Sequence, residues 1–487
     1  MARVVVRVSA VARIAGALRW TAALTVVLGG CSLAPRLEVP VMPTADAYKE
    51  VGPWTRAEPA DRLPRDSWWT LYETPELGDL AKELLAGNPS LAAALANYAQ
   101  ATALTDQARA GLFPSVGLSA GVSRNRQSKH APLIGATTAR YYDNNTVGGT
   151  IGYDLDLWGQ IRNRVAAGEA NAEGSAADLE NARLSLLAQL VDDYVQLRSL
   201  DRQNAILDDT GTAFDRALKI TVQRHGAGIA PGLDVAQAET QLATARSQAA
   251  QVLAQRALME HAIAALLGVS ASNFSVKPAI VDIKLPQVPA GIPSSLLERR
   301  PDIAGAQRRM IAANANIGVA RAAYFPSLTL NAQGGFQSTA VSNWISAPSS
   351  FWAIGPNALL SVFDGGLRRA QVAQARAEFD ASAADYRGVV VAAFQQVEDD
   401  LASLNHYYDA AQQEKAAVDA AQRTLDLSMA LYKQGAADYL TVVTSQTALL
   451  QAQLQAVNLD TLQLRASVDL VRALGGGWED TKRLATR

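Results

Sequence analysis

The chain has 487 residues, of which 49% are hydrophobic and only 18% charged, and its net charge is −2 at pH 7. Mean hydropathy lies near zero, too apolar for a disordered chain and too evenly mixed for a bundle of membrane-spanning helices. The balanced charge offers no footprint for nucleic acid. A single cysteine excludes an intrachain disulfide and a cysteine-based metal site.

The N-terminus carries Arg3, Arg7, Arg13 and Arg19 ahead of an uncharged stretch from Trp20 to Gly30, ending in Leu28-Gly29-Gly30-Cys31. A basic region, a short apolar region and small residues before the end make an export signal, and the apolar run is too short to span a bilayer. Leu-Gly-Gly-Cys resembles the bacterial lipobox. That resemblance implies cleavage after residue 30, lipidation of Cys31 (palmitate among its acyl chains) and, with Ser32 rather than an aspartate next, sorting to the outer membrane. Several acyl chains would make membrane residence stable. The other reading is ordinary signal cleavage nearby, with Cys31 left free. Loss of residues 1–30 takes the net charge from −2 to −6. Beyond this leader no uninterrupted apolar run reaches membrane-spanning length, so a bilayer crossing would have to be made of β-strands.

Residues 31–70 hold Pro35, Pro40, Pro43, Pro53, Pro59 and Pro64 and read as an extended segment lying along a surface. An internal duplication follows. Ala108-Arg109-Ala110-Gly111-Leu112-Phe113-Pro114-Ser115 matches Ala320-Arg321-Ala322-Ala323-Tyr324-Phe325-Pro326-Ser327. Further on, Gly159 and Arg162 match Gly365 and Arg368, and Val191-Asp192-Asp193 matches Val397-Glu398-Asp399. Gly228, Leu233 and Val235 match Gly435, Leu440 and Val442, and Leu267-Gly268 matches Leu474-Gly475. The spacing drifts by only a few residues, so the chain is two copies of one unit. The boundaries read 71–270 for the first repeat, 271–294 for a linker, 295–475 for the second repeat and 476–487 for a tail.

Each repeat reads helix, hairpin, very long helix, turn, helix. In the first, Val116, Leu118, Ala120 and Val122 alternate with small polar residues, and Ile151, Tyr153, Leu155 and Leu157 form the return (hairpin about 114–157). In the second, Leu328, Leu330 and Ala332, then Ile354, Ala358, Leu360 and Val362, do the same (hairpin about 326–363). Period-two alternation of this kind is the pattern of a transmembrane barrel, apolar towards lipid and polar towards the lumen. Tyr141, Tyr142, Trp344, Phe351 and Trp352 fall near the tips, where an aromatic girdle belongs. A soluble hairpin packed on a core is the plainer alternative. Four strands cannot close a barrel, which needs about eight, so several chains must contribute to one.

Gly159–Arg224 and Gly366–Lys433 contain no proline, and Leu184, Leu187, Leu190, Val191, Tyr194 and Leu197 recur at helical spacing. About 65 helical residues reach roughly 100 Å, which predicts an elongated fold. The rods are rich in alanine, which favours helix and lets helices approach closely, as a curved wall of helices requires. They reverse at 224–233 and 433–440, where Gly226, Gly228, Pro231 and Gly232, then Gly435, are turn residues.

Ile292-Pro293-Ser294-Ser295-Leu296-Leu297-Glu298-Arg299-Arg300-Pro301-Asp302-Ile303 resembles a central signature of the TolC-like outer-membrane efflux proteins and their NodT-type lipoprotein branch. So do Ala313–Ser327, Tyr153-Asp154-Leu155-Asp156-Leu157-Trp158-Gly159 and Ala473-Leu474-Gly475-Gly476-Gly477-Trp478. The resemblance covers the whole chain after the leader. It implies a mostly α, mixed α and β fold: a homotrimer giving four strands per chain to a twelve-stranded transmembrane barrel, above a long periplasmic α-helical barrel with a mixed equatorial domain. It also implies an outer-membrane channel, extending into the periplasm, in a tripartite efflux pump. The partners would be a periplasmic adaptor and an inner-membrane transporter of the RND type, with outer-membrane lipid around the barrel.

By the same resemblance the two turns are the periplasmic entrance, where partners dock and the idle channel closes. Gly226, Gly228, Pro231, Gly232, Gly435 and Asp438 mark that surface. The family closes it partly through a hydrogen bond whose positions here are Asp234 and Tyr432; Asp234 could equally be a helix cap. Where relatives carry an arginine and acidic rings, this chain has Ala437, Thr441 and Thr444. That predicts a mouth less selective for cations, with Asp438 a partial substitute. Export of proteins or peptides through the same channel, and a lipoprotein coiled-coil scaffold without a pore, are the competing readings.

An enzyme is not expected. His130, His225, His261 and His406 are scattered without ligand spacing, and the glycine pairs at 365–366 and 475–477 read as turns. Asp192-Asp193 and Asp399-Asp400 are adjacent on helices, so each pair diverges.

Overall fold

A computed structural model describes residues 32–40, 42, 48–50, 67–128, 140–286 and 299–476. Cys31, the leader, His130, the segment Ile292–Glu298 and residues 477–487 of the tail lie outside the described residues. Helices α1 (Pro75–Gly87) and α2 (Pro89–Ala110) precede strands β1 (Ser115–Arg126) and β2 (Tyr141–Asp154). Helices α3 (Gln160–Gly226) and α4 (Gly232–Leu267) complete the first repeat. The second runs α5 (Pro301–Ala322), β3 (Ser327–Ser338), β4 (Ser350–Leu359), α6 (Leu367–Gln434) and α7 (Tyr439–Ala473). The chain divides into two units, Met1–Pro40 with Tyr98–Gly174 and Ala306–Tyr386, and Val41–Asn97 with Ser175–Gly305 and Arg387–Arg487.

The first unit holds one antiparallel sheet in the order β1-β2-β3-β4. The two hairpins pair with each other through β2 and β3, with Val147 opposite Phe336 and Tyr153 opposite Leu330. Strand β1 presents Val116, Leu118 and Val122 to the outside, and β4 presents Trp352 and Ile354; Leu118 is 90% and Trp352 79% exposed. A row of bare apolar side chains on a strand matches a lipid-facing surface rather than a soluble hairpin.

The strand ends differ from the sequence expectation. Leu155 and Leu157 lie beyond β2, and Leu360 and Val362 lie beyond β4. At the first exit Asp156 takes the N–H groups of Ile161 (3.0 Å) and Arg162 (2.9 Å), so the chain leaves the pleat to cap α3. At the second, Asp364 receives the N–H groups of Gly366 (3.0 Å) and of Arg368 in the first turn of α6 (3.4 Å), together with the Arg368 side chain. The two rods thus begin alike, an aspartate satisfying free N–H groups of the first turn.

The same unit seats the residues that follow Cys31. Asn314 donates to the Pro35 carbonyl (3.0 Å), Arg321 to that of Leu33 (3.3 Å), and the Ser32 hydroxyl to Asn163 (2.8 Å). A Cβ on Gly318 would stand 2.8 Å from the Ala34 nitrogen, so only glycine lets the segment lie this close to α5. Ala167 and Ala170 of α3 pack against Ala312 and Ala315 of α5, where small side chains permit close helix approach.

The second unit contains the main apolar core. Leu184, Leu187, Leu190, Val191, Tyr194 and Leu197, the periodic face of α3, are all buried there with Ile263 of α4, Val397 and Leu401 of α6, and Val468 and Val471 of α7. Trp68, Trp69 and Tyr72 join them from a 3-10 turn, Trp68–Tyr72. The proline-rich segment therefore ends inside the core rather than on a surface, because three aromatics within five residues carry more apolar area than a surface path can leave wet.

Beside this core lies a buried ionic cluster. Asp201 accepts from Arg198 Nη1 (2.7 Å), Arg256 Nε (2.6 Å) and the backbone of Ala279 (3.1 Å). The same arginines donate to the Lys277 (2.9 Å) and Val276 (2.6 Å) carbonyls, and Arg198 also meets Glu76. The chain leaving the first repeat is thus held by its backbone. Arg300, of the central signature, donates to the Ala473 carbonyl at the end of α7 (2.9 Å) and pairs with Asp302.

Candidate functional site

Both helix reversals are built from the same backbone device. After α3, Ile229 N–H reaches back to the Arg224 carbonyl (2.8 Å) and Gly228 N–H to that of His225 (2.9 Å). After α6, Ala436 N–H meets Leu431 (2.9 Å) and Gly435 N–H meets Tyr432 (3.0 Å). These are paired closures around a left-handed residue, and Gly228 (φ 74°) and Gly435 (φ 77°) supply it. Gly226 is instead the last helical residue of α3 and Gly232 the first of α4, with Pro231 before it as N-cap.

The two helix starts differ. Asp438 caps α7, accepting Thr441 N–H (3.0 Å) and the Thr441 hydroxyl (2.6 Å), and these bonds hold its carboxyl below the usual carboxylate range. Thr444 is turned back on its own helix, donating to the Leu440 carbonyl (2.9 Å). Asp234 makes no capping bond. Partial burial pushes its carboxyl up, the Asp438 charge adds to that, and the Arg224 charge opposes it.

The expected Asp234–Tyr432 hydrogen bond is absent. The Tyr432 side chain is buried, at 4% exposure, and its hydroxyl has no partner among the described residues. Its ring instead packs beside Tyr439 (centroids 5.3 Å apart) in a small core with Ala238, Val442 and Val443. Burial pushes the Tyr439 hydroxyl up to about 12, and that hydroxyl meets Thr221 of α3. The guanidinium of Arg224 lies over the Tyr432 ring, 4.7 Å from its centroid, and Nη1 donates to the Tyr432 carbonyl (3.1 Å). In the sequence Arg224 reads only as the boundary of a turn. Its one signal was a basic residue in the last turn of a helix, where the dipole favours it.

Around these polar groups the turns expose Ile229, Leu233 and Leu440. Among the described residues no cluster of histidine, cysteine, aspartate and glutamate could hold a metal ion, and no helix is long and apolar enough to cross a membrane.

Comparison with known proteins matches this architecture. The family model for outer membrane efflux proteins matches residues 80–269 and 292–476. A probable efflux pump outer membrane protein of Pseudomonas putida, TtgC, is 30% identical over 93% of this chain and 94% of its own length. The outer membrane protein OprJ of Pseudomonas aeruginosa is 30% identical over 95% and 96%. The solved structure of the outer-membrane channel OprN superimposes with a TM-score of 0.85 at 29% identity, covering 92% of this chain and all of that one.

Proposed function

The chain belongs to the outer membrane efflux protein family, and from that premise we propose how this outer-membrane efflux channel is assembled, anchored and closed. Three copies close one barrel of twelve strands. The observation that carries this is the four-stranded sheet with an apolar outer face, whose edge strands β1 and β4 have no further strand beside them among the described residues. Hydrocarbon offers no partner for the edge N–H and C=O groups, so in lipid those edges must meet other copies.

The channel conducts small molecules passively. A periplasmic adaptor and an inner-membrane transporter of the RND type supply energy and selection. Their docking surface is the pair of turns, where Ile229, Leu233 and Leu440 stand exposed beside Gly228, Gly435 and Asp438; side chains of that kind leave water on meeting a partner. Cys31 carries the lipid, and the seat formed by Asn163, Asn314 and Arg321 fixes the residues that follow it.

The test is planar-bilayer conductance of the detergent-extracted protein, with its mass measured in parallel, for wild type and Tyr432→Ala. A trimer whose small currents grow when the ring is removed supports the reading. A folded monomer, or a trimer silent in both forms, would sink it.

A further inference from the structure

Among the described residues the buried Tyr432 hydroxyl has no partner, while one side chain, that of Arg224, meets both its ring face and its carbonyl, which Gly435 N–H also meets. We propose that Arg224 is the latch between the two helical hairpins, holding the closed arrangement of the turns through the face and backbone of Tyr432 rather than through its hydroxyl. The proposal rests on reading the turns as the channel entrance.

The geometry favours this residue for three reasons. Arg224 belongs to α3 and Tyr432 to α6, so a single side chain ties the α3–α4 hairpin to the α6–α7 hairpin. Both residues sit in the last turn of their helices, the end that carries partial negative charge. The guanidinium offsets the end of α6 by its bond to the Tyr432 carbonyl, and it is itself a positive charge in the last turn of α3, which a neutral donor cannot supply. Finally, the planar group stacks on the ring and bonds the carbonyl together, an arrangement that the compact charge of a lysine does not reproduce. Among the described residues Arg224 Nε is buried without a partner, so the hydrogen bond of the latch runs through Nη1. Asp234 acts on Arg224 as a nearby opposite charge and steadies it without touching the tyrosine hydroxyl.

The experiment is single-channel recording of the full-length protein as Arg224→Ala, Arg224→Lys, Tyr432→Phe and Tyr432→Ala, each first checked for a heat-stable oligomer. Loss of one charge-assisted bond and one cation–π contact should raise open probability roughly tenfold in Arg224→Ala. Arg224→Lys should fall between that and wild type, and Tyr432→Phe, which keeps ring and carbonyl, should match wild type. Tyr432→Phe opening as far as Arg224→Ala would overturn the proposal and return closure to the hydroxyl. Arg224→Ala behaving as wild type while Tyr432→Ala opens would overturn it too, with the entrance still at the turns. No opening in any variant would remove both the latch and the entrance reading. If Arg224→Ala fails to assemble, Arg224→Lys against Tyr432→Phe decides, and equal currents in those two would count against the latch.

Discussion

Trp158 stacks on Phe325 with ring centroids 4.6 Å apart, and its indole N–H donates to the Pro326 carbonyl at 2.8 Å. One residue ends the first hairpin and the other opens the second, so the stack ties the repeats together at the base of the sheet. Trp158→Ala removes the ring pair and the bond, and should cost about 2 kcal/mol. Trp158→Phe keeps the ring and should cost about half of that. Thermal unfolding of the detergent-extracted protein reads both; equal losses would mean that the ring stack contributes nothing beyond the hydrogen bond.

Asp201 is the point on which two buried arginines converge, its side chain only 3% exposed. Asp201→Ala leaves both guanidiniums in the interior without their shared anion, a loss of about 3–5 kcal/mol. The same substitution frees the backbone at Ala279. Faster proteolysis between residues 276 and 286, together with a lower unfolding temperature, is the expected pair of results. A drop confined to that of a surface substitution would show the cluster to be solvated.

Burial raises the carboxyls of Asp193 and Asp400 to about 6 and about 7, helped by the charge of Asp192 at the first and Asp469 at the second, with Arg465 and Arg472 opposing. An unfolded aspartate titrates near about 3.9. The folded chain therefore holds more protons than the unfolded one between roughly pH 4 and 7, and its stability falls as pH rises through that window. Asp400→Asn should flatten the fall and stabilise the protein at about pH 8 by on the order of 1 kcal/mol, solvent screening reducing the full effect. At about pH 4 it should gain nothing. Unfolding temperatures across the range test the sign, and a variant less stable at the alkaline end would contradict it.

Gly318 is predicted to matter more than its lack of a side chain suggests. Gly318→Val places methyl groups where the backbone of Ala34 now lies, so residues 32–36 must leave α5. Limited proteolysis should then cut the N-terminal segment several-fold faster while the helical content measured by circular dichroism stays constant. An unchanged cutting rate would mean that the segment is held elsewhere.

The architecture was legible because its signals are periodic and repeated. The buried face of α3 follows the 3.6-residue spacing of Leu184 to Leu197, and the apolar face of β1 follows the alternation of Val116, Leu118 and Val122. Strand ends were not legible, since Leu155 and Leu157 keep the alternation after the pleat has stopped. What stops it is Asp156, whose carboxylate turns to the next helix. Partners at the turns were not legible either. Arg224 and Tyr432 lie 208 residues apart, and nothing in the spacing of either rod says that the guanidinium reaches the tyrosine ring. The resemblance supplied the two positions, Asp234 and Tyr432, but not the neighbour that occupies one of them.

The pairing of β2 with β3 joins residues such as Asn145 and Ser338, which are 193 positions apart in the chain. A nascent chain can close β1 on β2 as soon as both have emerged, but that hairpin alone is marginal in water. Its second edge waits through α3, α4, the linker and α5 before β3 exists. Assembly of the sheet is consequently a late event with a high loop-closure cost, during which Leu118 and its neighbours are bare. A chain cut after residue 300 would retain a complete first hairpin and have nothing to bind it, so such a fragment should aggregate or be degraded before it reaches a membrane.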